Sequence, residues 1–333
     1  MNRSLSPSLM FVELLADRNR LPSALLLGFA GSDPEVFLPL VEHSDFHGLA
    51  KQFPCAVVSP DASFPPASLA DALESAGCKL VVVPSVHRTN DSGMGNLPAG
   101  VQWVAGDWYM APPSRPIASQ ATSRTIALQL VQLVMADADT HEIEAVLRHD
   151  PALSYHLLRV VNSLGMGMGK KITSFSQAIL ILGRAQLRRW LNLMLFSSRE
   201  GDERSAMLLA RVAARARMME LVAKAAGQDK SAQDMAFMAG MFSLLGILFG
   251  LPLGEVLKPL KISDTLSAAL LERSGELGQL LALAEAEERA DGAALAAELA
   301  ALQVTPEEFN LLNVQAHTWM IEVVRGNRGG GNA

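Results

Sequence analysis

The sequence predicts two units in series, an α/β unit followed by an all-helical domain. Three observations carry that reading. Residues 1–113 hold short apolar runs bounded by Gly, Pro and Asp, with helical patterns between them. A stretch rich in proline and serine follows, with Pro112, Pro113, Pro116, Ser114 and Ser119. Beyond it, apolar residues recur at helical spacing almost to the C-terminus. At 333 residues the length suits about two domains. The expected boundaries are 1–113 for the α/β unit, 114–122 for a linker, 123–325 for the helical domain and 326–333 for a flexible tail.

In the first unit, SALLLGFA at 23–30, CAVVSP at 55–60, KLVVVPSV at 79–86 and VQWVAGDWYM at 101–110 read as buried strands. PEVFLPLVEHSDFHGLAKQF and ASLADALESAG read as the helices between them, so a parallel sheet is expected. In the second unit, RTIALQLVQLVMA and HEIEAVLRH begin the helical series, the latter capped by Asp139 or Thr140. A long helix is expected through SAMLLARVAARARMMELVAKAAG, then one from Asp264 to Leu283, then an Ala/Glu-rich helix. Thr305-Pro306-Glu307-Glu308 starts the last helix, and RGNRGGGNA should be a flexible tail.

Composition excludes several classes. Lys and Arg total 28 against 34 Asp and Glu, a formal net charge of −6, which argues against DNA as the default partner. Two cysteines, Cys55 and Cys78, make no disulfide framework and read as buried thiols in a reducing cytoplasm. The 20 residues between Asp234 and Glu255 carry no charge, enough to raise a membrane span. Pro252 and Gly254 end that helix near Phe249 or Gly250, so a buried core helix is expected in a cytoplasmic protein without a membrane span.

The most informative stretch is Asp150 to Gly183. Asp150 suits an N-cap and Pro151 the first helical position. Leu153, Leu157, Val160 and Val161 follow at helical spacing, and Asn162 and Ser163 close the helix. Ser174 restarts a helix with Gln177 in a capping box, and Gly183 interrupts it. DPALSYHLLRVVNS followed by ITSFSQAILILG resembles the HDOD domain, an all-helical output module related to the HD metal-dependent phosphohydrolases. That resemblance implies a signalling or regulatory role and does not by itself imply an enzyme. In the first unit, ADALESAGCKLVVVPSV followed by GVQWVAGDWYMAPP resembles the last part of an EAL domain. EAL domains are barrels that hydrolyse cyclic di-GMP with metal held by acidic residues at strand ends. About 110 residues are too few for such a barrel, which needs ~250. No E-A-L tripeptide begins a strand near the N-terminus, no D-D-F-G occurs, and Pro84 and Ser85 stand where the family carries a glutamate. The unit is expected to be a degenerate EAL-like remnant.

The metal question decides the expected function. AGMFSLLG, Ala239 to Gly246, resembles the HD pattern of small-Gly-apolar-apolar-His-Asp-apolar-Gly, with Ser243 and Leu244 at the His-Asp positions. Leucine ligates nothing and a lone serine hydroxyl is a poor ligand, so no metal and no cofactor are expected. His149-Asp150 is a literal His-Asp pair, but Asp150 is expected to cap a helix. His141, Glu142 and Glu144 lack the histidine at Ala145 that H-E-x-x-H requires. GMGMGKK at 165–171 misses the Walker pattern, with Leu164 for glycine and Lys171 for Ser or Thr. A helix-turn-helix reading from Ser174 fails on spacing, because Gly183 lies five residues after Ala178 rather than four.

The expectation is therefore a non-catalytic signalling protein that binds an unknown partner protein, or a nucleotide. The best placed partner surface is Arg184 and Arg188, with Arg211 and Arg215, which share a face at i and i+4. Gly183 and Gly246 are expected to be structural. Two other readings compete: a divergent HD-type metal-dependent phosphohydrolase, and a DNA-binding regulator.

Overall fold

The computed structural model describes residues 7–112, except 32, 59–64, 82–84 and 92–96; 129–148, except 131, 134, 135 and 137; 189, 192, 193 and 196; and 202–328, except 261. The stretch Asp150 to Gly183 lies outside the described residues, and with it the expected roles of Asp150, Pro151, Asn162, Ser163 and Gly183.

The N-terminal unit is a sheet of six strands in the order β4-β3-β2-β1-β6-β5. β1 (Leu9–Ala16) and β2 (Pro22–Ala30) form an antiparallel hairpin. Asp17 makes the turn: its carboxylate accepts from the N–H groups of Asn19 and Leu21 at 2.8 and 2.9 Å, and Arg20 takes a left-handed φ of 64°. β3 (Cys55–Val58) and β4 (Lys79–Val81) continue from β2 in parallel. The crossovers are helical, by α1 (Leu38–Val41) and α2 (Ser44–Gln52), then by α3 (Ala67–Ser75). β5 (Val86–Arg88) and β6 (Trp103–Ala105) are parallel to each other, and β6 joins β1 antiparallel at Ala16. The expected α/β unit is present, but its sheet is mixed. The apolar run that opens the chain is the central strand β1, whose antiparallel pairing breaks the expected parallel order.

The helical series takes in residues 129, 130, 132 and 133 and then α4 (Thr140–Arg148). Its hub is α5 (Ser205–Ala225), buried on nearly every side, with Arg215 and Glu220 among its buried residues. α6 (Lys230–Phe242) packs along α5. Gly240 permits the approach: a Cβ there would sit 2.5 Å from Ala216 Cα. α7 (Leu245–Phe249) ends at Gly250, which adopts a left-handed φ of 64°. Lys230–Phe249 is long and apolar enough to cross a membrane by composition, but it is 61% buried inside the protein and broken at Ser243. It is a core element ending where Pro252 and Gly254 imply.

α8 (Leu253–Leu257) and α9 (Asp264–Glu272) follow, with Ser263 Oγ accepting from Leu266 N–H. The single helix expected from Asp264 to Leu283 is two. Arg273 turns left-handed at φ 59°, Gly275 at φ 71°, and α10 (Gly275–Glu288) starts afresh. Asp291 caps α11 (Gly292–Leu302) and Thr305 caps α12 (Pro306–Arg328). α12 runs through Gly326 and Asn327, three residues into the segment expected to be a flexible tail. α12 lies against α2 and β1, so the two units share one hydrophobic core.

Candidate functional site

The site is built where β1 meets α5, α10 and α12. β1 is paired with β2 along its length, but β6 reaches its other edge only at Ala16. An open edge leaves N–H and C=O groups to be satisfied. Side chains of the helices do this. Asn310 accepts from Met10 N–H at 2.8 Å and donates to Ser8 O at 3.0 Å. Asn313 donates to Met10 O at 3.1 Å, and Glu287 accepts from Val12 N–H at 2.9 Å. Two carboxamides and a carboxylate thus stand in for a neighbouring strand.

Behind this edge lies a buried charge cluster. Arg215 grips Glu288 with two parallel hydrogen bonds of 2.8 and 2.5 Å. Arg211 approaches Glu288 at 3.7 Å and donates to Asp107 at 3.1 Å, with its guanidinium 5.9 Å from the Tyr109 ring centre. Burial alone would push Glu288 up, but Arg211 and Arg215 hold it below the usual carboxylate range. The neighbouring Glu287 goes the other way. Burial, reinforced by the charge of Glu288, pushes it up to about 7 against the pull of Val12 N–H and Asn313. His317 sits one turn beyond Asn313, its Nδ1 2.9 Å from Asn313 O, and burial pushes it down to about 4. Arg211, Arg215, Glu287, Glu288 and His317 line a cavity of about 20 Å³, room for one water molecule.

Ser243 connects this cluster to a larger space. Its hydroxyl donates to Gly240 O at 2.7 Å and accepts from Arg215 at 2.7 Å. On its far side a groove of about 590 Å³ opens, walled by Ile247, Leu253, Leu271 and Arg273 and reaching Met110 at the end of the first unit. That is the size of a small-molecule site. Gly246 is needed for this wall, since a Cβ there would meet Leu251 O at 2.9 Å.

A second ion network braces the other end of α5. Arg189 donates to Glu220 at 2.9 and 2.5 Å and to Asp234 at 2.5 Å, and lies 4.5 Å over the Phe237 ring. Arg217 and Lys230 add further contacts to Glu220 at 2.6 and 3.2 Å.

Of the arginines expected to form a partner surface, Arg184 and Arg188 lie outside the described residues. Arg211 and Arg215 do share a face of α5, but the face is turned inward. The first unit covers it, and the side chains are 11% and 4% exposed. The spacing was legible and the burial was not, because the covering unit lies 100 residues away in sequence. Glu287, Glu288 and His317 were missed altogether. The one sequence signal for them is charge on otherwise apolar helices.

An HD-type metal does not fit at Ser243 and Leu244. Leu244 is buried among apolar side chains, and the Ser243 hydroxyl is already spent on Gly240 and Arg215. Among the described residues, the ligand-type atoms that converge are those of Asp139, His141 and Glu142 at the start of α4, all within 4.8 Å of one another and exposed. The sequence weighed His141 and Glu142 against the H-E-x-x-H pattern and did not include Asp139.

Comparison with known proteins gives a domain identity. The HDOD domain model matches residues 122–253. The Vibrio cholerae protein Cyclic di-GMP phosphodiesterase CdgJ is 30% identical over 231 residues, covering 68% of this chain and 52% of CdgJ. The Bacillus subtilis protein YuxH is 29% identical over 156 residues, 46% of this chain and 38% of YuxH. The chain thus spans about half the length of the first of these relatives and less of the second. A solved structure from Shewanella amazonensis SB2B superimposes with a TM-score of 0.43 at 16% identity, covering 62% of this chain and 97% of that one. The likeness to a protein named a phosphodiesterase overturns the expectation of a non-catalytic, purely binding protein that is not an enzyme. Residues 122–253 are an HDOD domain, and its helix α5 packs against β1 of the α/β unit.

Proposed function

We propose that the chain is a divergent phosphohydrolase of cyclic di-GMP signalling, cleaving a phosphodiester bond of that nucleotide. The observation that carries this is the likeness over 231 residues to a protein named a cyclic di-GMP phosphodiesterase. The likeness is longer than the HDOD match, so it also takes in residues outside that domain. The groove beside Ser243 supports the reading by its volume, within the ~300–1,000 Å³ range of small-molecule sites. Its apolar walls suit the faces of nucleobases, and Arg273 stands at its rim. Ser243 and Leu244 exclude an HD-type metal at that position, so the chemistry does not follow the HD pattern there.

The α/β unit fits the same reading as a degenerate EAL-like unit. β2, β3 and β4 run in parallel with helices in the crossovers, as in a piece of a β/α barrel. The HDOD domain and this unit would then both derive from cyclic di-GMP machinery.

The test is turnover by the purified full chain. Cyclic di-GMP is incubated with the protein in Mg²⁺ and in Mn²⁺, and the products are separated by anion exchange and identified by mass. Linear dinucleotide should accumulate in proportion to protein. Replacement of His141 by Ala asks in addition whether the exposed trio on α4 contributes. No product with either ion, across the pH range in which the chain is folded, would remove the proposal.

A further inference from the structure

Cys55 and Cys78 are the two cysteines of this chain, and the fold sets them side by side. Cys55 opens β3. β3 and β4 pair in parallel with Ala56 opposite Lys79, which puts Cys78 across from Cys55 on the preceding rung. Both are buried in the main core. A buried residue touches about 6–12 others. In a chain of 333 residues, two residues placed without regard to each other seldom meet.

The place matters as well. β4 is an outer strand of the sheet, three residues long, with pairing from β3 on one side. Its side chains are exposed or half-buried. Cys78 precedes the strand, in the turn after α3, where its N–H donates to Leu73 O at 2.9 Å. A covalent link between the two sulfurs would fasten this short outer strand to its neighbour.

We propose that Cys55 and Cys78 are a redox-active dithiol that closes to an intramolecular disulfide and locks β4 onto β3. The oxidant required is a low-molecular-weight disulfide. One cysteine, as thiolate, attacks a sulfur of that disulfide, giving a mixed disulfide and releasing one small thiolate. The second cysteine loses its proton and attacks the protein sulfur of the mixed disulfide. The protein S–S bond forms and the second small thiol leaves. Two electrons pass to the oxidant, and the two cysteine protons end on the two released thiols. The neighbouring Cys78 thiol, with burial, pushes the Cys55 thiol well up, so attack waits for β4 to open. The pair is therefore slow to close, and once closed it resists reopening because the strand no longer frays.

The test uses the reduced full chain and glutathione disulfide. After incubation under native conditions the sample is quenched in acid, denatured and alkylated with iodoacetamide. The proposal expects a chain lighter by two hydrogens with neither cysteine alkylated, and a proteolytic peptide pair joined through Cys55 and Cys78. It expects the melting temperature to rise by a few degrees, with reversal by dithiothreitol. Cys55→Ala, a small change at a buried site, should lose both effects while remaining folded. Three results would each overturn the proposal: both thiols still alkylated although the same oxidant links them in urea, a stable glutathione adduct at either cysteine, or a link between two chains.

Discussion

Glu287 and Glu288 are adjacent, buried and oppositely tuned. Glu288 faces two guanidiniums and stays ionised, while Glu287 is pushed up to about 7 by burial and its neighbour's charge. Because the folded value for Glu287 lies above the ordinary carboxylate value, the protonated form favours folding. That contribution is fully present below about pH 4.5 and is lost as pH rises through about 7. His317, pushed down to about 4, does the reverse: its contribution is present above about pH 6.5 and is lost as pH falls through about 4. Between those limits the two slopes oppose. From pH 6.5 upward Glu287 still lowers stability, by about 1 kcal/mol, because most of its contribution is already lost between pH 4.5 and 6.5. Glu287→Gln keeps an acceptor for Val12 N–H and removes the titration. Melting temperature measured from pH 6 to 9 should fall for the wild type and stay level for the variant. Arg215 gives a second prediction at this scale. Arg215→Met leaves Glu288 with one guanidinium instead of two and should cost about 3 kcal/mol in denaturant unfolding. None of this was legible in the sequence. Arg211 and Arg215 are plainly i and i+4 neighbours, but only the fold shows that their face meets Glu288 and Asp107 rather than water.

Elements were more legible than side chains, because caps and breakers act locally. Asp139 and Thr305 stand where helices start, and Pro252 with Gly254 mark where the apolar run stops. What local signals did not carry was the break between α9 and α10, where a non-glycine residue, Arg273, takes the left-handed conformation. Its guanidinium pairs with Glu285 and reaches back to Leu270 O, contacts that pattern alone does not reveal. β1 was not among the expected strands; in the fold its Glu13 meets Arg88 through paired contacts of 2.7 and 2.5 Å. Helix packing gives a paired prediction. Gly240→Ala drives a methyl to within 2.5 Å of Ala216 Cα and should destabilise by about 1–3 kcal/mol. Gly254→Ala has its nearest neighbour at 3.8 Å and should fall within about 1 kcal/mol of wild type. The midpoint of urea unfolding compares the two directly.

At the scale of the molecule, two units that read separately in the sequence form one body through polar groups as much as apolar ones. Asn310 and Asn313 complete β1 as a strand would. Asn310→Leu removes two of those hydrogen bonds and leaves Met10 N–H and Ser8 O without that partner. The first unit should then become more susceptible to limited proteolysis, with cleavage beginning in residues 1–112. The proposed function belongs to this scale too, since the groove beside Ser243 is walled by helices of the second unit and reaches Met110 of the first. The sequence named the HDOD domain correctly from two capped helices, while the inference from missing His-Asp ligands to missing catalysis went further than one motif allows. The most direct measurement compares linear dinucleotide formed from cyclic di-GMP by the wild-type chain and by Leu271→Trp. Leu271 is 48% exposed on the groove wall, so an indole there fills the groove without disturbing the core. The account predicts product from the wild type and a loss of about tenfold in kcat/KM for the variant, equivalent to ~1.4 kcal/mol, with an unchanged melting temperature. No product from the wild type, or equal turnover by both, would contradict it.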